Sequence, residues 1–227
     1  IALHTKGSSA TKSAMSTLTT SSSANLSISG EDSTFAGAQA FDALKTLNVT
    51  AAAGRTQFTD HLGATANLVA LNAVTLAGAG TTSGVTLGDV GATSNNYDFS
   101  LTASGQKAGL TVGNVAITTG RNVSFDLTGV TGNVVIGTIG ASAATASGVT
   151  IKAVNVGSGS STTTASGLSV GAIAATGTVS IDATGVRAPQ IGTISGSNIT
   201  VSLANTTALA DGTNPSVGTI TTTGTGT

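Results

Sequence analysis

From about residue 26 onward the chain alternates apolar and polar residues in short bursts that recur along its length. One series reads Leu26-Ser-Ile-Ser29, Leu47-Asn-Val-Thr-Ala51, Val74-Thr-Leu-Ala77, Tyr97-Asp-Phe-Ser-Leu101, Val123-Ser-Phe-Asp-Leu127, Val149-Thr-Ile-Lys-Ala153, Val179-Ser-Ile-Asp-Ala183 and Ile199-Thr-Val-Ser-Leu203. Successive side chains of a strand point to opposite faces, so this period-two pattern predicts strands with one buried face. Aligned on their central residues (Ile28, Val49, Leu76, Phe99, Phe125, Ile151, Ile181 and Val201), the bursts lie 20 to 30 residues apart.

A second series is interleaved with the first. An apolar residue precedes a glycine at Leu62-Gly63, Leu87-Gly88, Val112-Gly113, Ile136-Gly137, Val170-Gly171, Ile191-Gly192 and Val217-Gly218. From Gly88 onward the second residue after each glycine is Val or Ile: Val90, Val115, Ile139, Ile173, Ile194 and Ile220. One step, from Gly137 to Gly171, is longer than the others. It contains Ser158-Gly-Ser-Ser-Thr-Thr-Thr-Ala-Ser166, which reads as a loop inserted into one repeat.

Two interleaved strand series with a common period predict an all-β chain, a β-solenoid (parallel β-helix-like) of about seven or eight coils with a period near 25 residues. In this alignment Phe99 lies over Phe125, Ile151 and Ile181, about 4.8 Å per step. Asp126, Lys152 and Asp182 then form an outward column flanked by Ser100 and Ser202. Gly and Ser-Gly pairs between the series are expected to supply corners with positive φ. A tandem β-sandwich is the alternative, since strands every 8–12 residues also suit it. The solenoid is expected over residues 26–220, with the loop insertion at 158–166. Residues 1–25 read as an N-terminal arm or linker and 221–227 as a C-terminal linker. The passage from Phe35 to Leu44 has a helix-like composition, enough for a turn or two.

Composition narrows the function classes. Charged residues are 7% of the 227 positions, against about 25% in average domains, and the net charge is −1. Eight Lys and Arg give no basic footprint for nucleic acid. There is no Cys, so disulfides, thiolate metal sites and cysteine nucleophiles are excluded. The weakly charged stretch from His61 to Asp89 holds Asn67, Asn72 and several glycines, and never the roughly 20 apolar residues of a membrane-spanning helix. A transmembrane β-barrel wears aromatic girdles, and here there are five Phe, one Tyr and no Trp.

Few side chains remain for chemistry. Asp60-His61 is the one place where an acid adjoins a histidine, but neighbours on a strand point to opposite faces and no Gly-x-Ser-x-Gly elbow occurs. His4 lies in unpatterned sequence. Asp89, Asn95, Asn96 and Asp98 cluster and offer the hard oxygen ligands of a calcium site, yet the same residue types are ordinary turn formers. The Gly-Gly-x-Gly-x-Asp calcium nonapeptide is absent. Asn25, Asn48, Asn122, Asn198 and Asn205 each begin an Asn-x-Ser/Thr sequon.

The passages Leu44-Lys-Thr-Leu-Asn-Val-Thr-Ala-Ala-Ala-Gly54 and Ala73-Val-Thr-Leu-Ala-Gly-Ala-Gly80 resemble repetitive segments of Gram-negative surface-layer (S-layer) proteins, as does the Thr/Ala/Gly/Ser bias. That resemblance implies a secreted, extracellular protein of the cell surface, often exported in one step and using calcium. The leading expectation is therefore a non-enzymatic structural protein of a bacterial surface layer or extracellular filament. It would act by self-assembly, with cell-surface glycan or lipopolysaccharide as a further partner and with no nucleic acid and no membrane span. The alternatives are an adhesin stalk or phage-fibre-like glycan-binding module and, third, a glycan-degrading β-helix enzyme. An enzyme of that kind needs clustered acids, and nine are spread along this chain.

Overall fold

The computed structural model describes residues 2–5, 13–15, 24–30, 33–35, 44–51, 56–58, 73–78, 85–87, 89–90, 98–104, 109–140, 145–158 and 165–223. Within them the chain is all-β, with no helix. The early strands are β1 (Ala2–Thr5), β2 (Ser13–Met15), β3 (Ala24–Gly30), β4 (Ser33–Phe35), β5 (Leu44–Ala51), β6 (Thr56–Phe58), β7 (Ala73–Gly78) and β8 (Val85–Leu87). Next come β9 (Phe99–Ser104), β10 (Leu110–Val112), β11 (Asn122–Asp126), β12 (Val134–Ile136), β13 (Gly148–Lys152), β14 (Leu168–Val170) and β15 (Ile173–Ala174). The last are β16 (Thr178–Asp182), β17 (Gln190–Ile191), β18 (Ile194–Gly196), β19 (Asn198–Ser202), β20 (Ser216–Val217) and β21 (Ile220–Thr222).

These strands form three sheets, and the strands pair in parallel. The first has the order β1-β3-β5-β7-β9-β11-β13-β16-β19, the second β2-β4-β6-β8-β10-β12-β14-β17-β20, and the third β15-β18-β21. A strand thus pairs not with its neighbour in sequence but with its counterpart one repeat away, an arrangement compatible with a parallel β-helix. The alternating bursts occupy the first sheet and the apolar–glycine series, from Leu87 onward, the second, while Leu62 and Gly63 lie outside the described residues. Two strands, β1 and β2, precede residue 26 and pair with β3 and β4, within the stretch expected to be an arm or linker. Residues 36–43, with their helix-like composition, lie outside the described residues, as do 159–164 and 224–227.

Register within the first sheet follows the sequence alignment from β11 onward. Phe125 lies opposite Ile151, Ile151 opposite Ile181 and Ile181 opposite Val201. The expected stacking of Phe99 on Phe125 is corrected. Phe99 pairs with Val123, and Leu101 occupies the place opposite Phe125. The two rings meet on the diagonal, with centroids 5.8 Å apart at 62°. The inward column is therefore Val74, Leu101, Phe125, Ile151 and Ile181, each about 1% exposed.

The column of residues that follow the glycines builds the third wall. Val90, Val115, Ile139 and Ile173 are joined by single bridges, and Ile173, Ile194 and Ile220 continue them through β15, β18 and β21. All but the last are at most 2% exposed. Burying each such side chain contributes roughly 1.5–3 kcal/mol, so this column helps hold successive levels together.

Glycines serve two separate purposes. At Gly129 and Gly185 the chain turns with φ of +87° and +70°, in turns closed by Val130 N–H to the Leu127 carbonyl and Val186 N–H to the Ala183 carbonyl. Asn155 and Asn205 take the equivalent places, with φ of +58° and +54°, a conformation Asn tolerates better than other side chains. Gly137, Gly171, Gly192 and Gly218, in contrast, follow strands of the second sheet and do not have positive φ. They stack one on another so closely that a Cβ on any of them would lie 2.8–2.9 Å from backbone atoms of the glycine above.

The neck of the inserted loop is also built from glycine. A Cβ on Gly157 would lie 2.5 Å from the Gly167 Cα. Ser166 Oγ donates to the carbonyls of Leu168 and Ala188, fixing the returning chain. Because the ends already meet, removing residues 159–164 is expected to leave the fold intact and to change stability by no more than about 1 kcal/mol. Circular dichroism and a urea unfolding curve would check this. Loss of cooperative unfolding in the shortened chain would contradict the repeat register.

Candidate functional site

The described structure gives the acidic residues structural partners. Asp89 Oδ1 accepts the N–H of Asn114 at 2.7 Å, one repeat away. Asn114 Oδ1 in turn accepts the N–H of Thr138 at 2.9 Å. This short run of side-chain-to-backbone bonds lies directly beside the glycine stack, at the residues that follow Gly88, Gly113 and Gly137. Asp98 plays the same part beside the first sheet. Its Oδ1 accepts the Asn122 N–H at 2.8 Å, and its Oδ2 lies 3.5 Å from Asn122 Nδ2.

Of the calcium candidates, Asp89 and Asp98 therefore each commit a carboxylate oxygen to a backbone amide of the next strand level. Asn95 and Asn96 lie outside the described residues. Calcium takes six to eight oxygens, and among the described residues no group of three or more His, Asp or Glu side chains is placed to hold a metal ion. Asp60 and His61 also lie outside the described residues, while His4 belongs to β1, opposite Ser29.

A charged column crosses the first sheet. Asp126 lies opposite Lys152, and Lys152 opposite Asp182. Its flanks are Thr102 beside Asp126 and Ser202 beside Asp182, so Ser202 stands where the alignment placed it and Ser100 does not. Ser100 pairs with Ser124 in the adjoining column, which continues through Thr150, Ser180 and Thr200. This outer face thus carries hydroxyls in one column and alternating charge in the next.

The acids of this column are also anchored locally. Asp126 Oδ1 accepts the N–H of Thr128, and Asp182 Oδ1 accepts both the N–H and the hydroxyl of Thr184. Asp211 does the same with the N–H of Thr213. An Asp bonding the backbone two residues on is a turn-forming device, and the spacing Asp-x-Thr in all three places is its sequence signal. The Thr128 bonds, with a smaller contribution from Lys152, hold the Asp126 carboxyl below its ordinary value. Bonds to Thr213 do likewise for Asp211. A carboxyl lowered in the folded state stabilises above its unfolded pKa, and that contribution is lost as pH falls through the folded value. Changing Thr128 to Ala is expected to raise the Asp126 pKa toward that of a free aspartate, which carboxyl chemical shifts followed through an acid titration would report.

The charge column has a direct test. Opposite charges on adjacent strands contribute roughly 0.2–1 kcal/mol per pair, and like charges oppose pairing. Lys152→Asp converts two attractive neighbours into two repulsive ones and is expected to cost about 1 kcal/mol at low salt. Added salt should recover part of the loss, because exposed charges are screened. A melting temperature equal to that of the parent at low salt would show that the three side chains do not interact.

No protein-family model matches the chain, and no curated protein or solved structure matches it. Among the described residues no helix is long and apolar enough to cross a membrane.

Proposed function

We propose that the chain is a β-solenoid of about seven or eight coils with a period near 25 residues, serving as a structural element of a bacterial surface layer or extracellular filament and acting by self-association. The observation that carries this reading is the unbroken parallel pairing of the sheets, combined with a surface on which charge is scarce. Little long-range repulsion then opposes packing of copies side by side.

In this reading the chain is not an enzyme and works outside the cell. The acids of the described residues brace turns and neighbouring strands rather than converge on a cleft. Electron microscopy of the purified protein, with and without calcium, tests the proposal together with sedimentation at rising concentration. Ordered sheets or fibres are expected. A particle that stays monomeric at high concentration in both conditions would overturn self-assembly. Turnover of a polysaccharide or ester that disappears on changing Asp60 or His61 would overturn the non-enzymatic part.

A further inference from the structure

We propose that Asn205 is an acceptor for N-linked glycan transfer, with a lipid-linked oligosaccharide pyrophosphate as donor. The inference stands apart from self-assembly and rests on how the fold presents its sequons. Transfer needs the Asn carboxamide and the hydroxyl two residues on to be reachable together at the surface. It also needs local backbone that can bend into an enzyme site, which a strand paired on both sides resists.

The sequons differ in these respects, and Asn25 and Asn48 lie within β3 and β5, strands paired on both sides. Asn122 opens β11, which pairs with β9 on one side and β13 on the other. Its backbone and side chain both engage Asp98, and its Oδ1 would be 3.1 Å from a Cβ on Gly148. Asn198 opens β19, whose residues are held in register by β16. Asn205 instead stands in a turn just beyond β19, exposed, with exposed Thr207 two residues on. Its turn is bonded to the preceding level by Gly185 N–H to the Ala204 carbonyl and Ala188 N–H to the Thr207 carbonyl.

The left-handed backbone explains why Asn suits position 205, since Gly129, Asn155 and Gly185 occupy the same place in the other turns. It does not explain Thr207. Asn155 is followed two residues later by Gly157, so its turn offers no hydroxyl. Only at Asn205 do the turn conformation and the sequon coincide. In the reaction the carboxamide nitrogen attacks the anomeric carbon of the donor sugar. A C–N bond forms, the bond from that carbon to the pyrophosphate oxygen breaks, and the lipid pyrophosphate leaves as the amide gives up one proton to a base of the transferase.

The test incubates the folded full chain with an oligosaccharyltransferase that reads Asn-x-Ser/Thr and with its lipid-linked oligosaccharide, followed by intact mass and site mapping. One glycan at Asn205 is expected, reduced at least tenfold in Asn205→Gly and Thr207→Ala, and retained in Thr207→Ser and Asn122→Gln. Asn205→Gly keeps a residue that the same turn uses at Gly129 and Gly185, and an unchanged melting curve would confirm that it folds. A folded chain that acquires no glycan, or one whose glycan survives Asn205→Gly, would overturn the proposal.

Discussion

Replacing Gly171 with alanine is expected to destabilise the protein by about 3 kcal/mol, at the upper end of what overpacking a close-packed site usually costs. The added methyl would lie 2.8 Å from the Gly137 carbonyl carbon, 2.9 Å from its oxygen and 2.9 Å from the Thr138 nitrogen. All three are backbone atoms, so no flexible side chain can move aside. Relief would require parting two strand levels, and the Gly171 N–H to Ile136 carbonyl bond of 2.9 Å lies in that gap. The levels below repeat the contact at Gly192 and Gly218, so displacement at Gly171 would be transmitted along the stack. Urea unfolding compared with Ser169→Ala, a half-exposed neighbour expected to shift by less than about 0.5 kcal/mol, measures the effect. Equal midpoints for the two variants would show that the levels are not packed this closely.

The glycine column also shows what could be read from sequence and what could not. The spacing of Gly113, Gly137, Gly171, Gly192 and Gly218 marks the second sheet, and the Val or Ile two residues later marks the third wall at each level from Val90 to Ile220. Sequence alone placed the positive-φ corners at glycines between the two series and gave the glycines of the second series no separate task. The structure gives the corners to Gly129, Gly185 and others, and leaves the stacked ones to make room for backbone. Close approach between residues a full repeat apart leaves no local trace in composition.

Register failed on both sides of β9 for an identifiable reason, by two residues against β11 and by four against β7, where Leu76 pairs with Ala103 and not with Phe99. Tyr97-Asp-Phe-Ser-Leu101 alternates like its neighbours, and a shift of two residues leaves every side chain on the same face. Alternation therefore separates inward from outward but cannot tell Phe99 from Leu101 as the partner of Phe125. The later bursts escape the ambiguity because near-identical copies, Val123-Ser-Phe-Asp-Leu-Thr-Gly-Val130 and Val179-Ser-Ile-Asp-Ala-Thr-Gly-Val186, share a turn as well as a strand. The acidic residues were harder still. Asp89 and Asp98 read as an oxygen-rich cluster by proximity in sequence, while the partners the fold gives them, Asn114 and Asn122, are 25 and 24 residues away. Thr128 and Thr184, two residues from their aspartates, were within reach of a local reading.

Phe125→Ala is expected to be the most damaging single substitution, at about 3–5 kcal/mol. Phe125 and Phe99 are the largest fully buried side chains among the described residues. The rest of this core is Val, Ile, Leu and Ala held between parallel levels about 4.8 Å apart. Strands pinned to neighbours on both sides cannot collapse into the space a lost ring leaves, so most of the cavity should remain. Two further losses add to it. The edge-to-face contact with Phe99 is worth about 0.5–1.5 kcal/mol beyond burial, and the facing side chains Leu101 and Ile151 lose their partner. A double-mutant cycle divides these contributions, with Phe99→Leu and Leu101→Ala each combined with Phe125→Ala. Coupling to both neighbours is expected from Leu101 directly opposite and Phe99 on the diagonal. Coupling to Phe99 with none to Leu101 would restore the alignment that places one ring straight above the other, and would move the first sheet's register by two residues between β9 and β11.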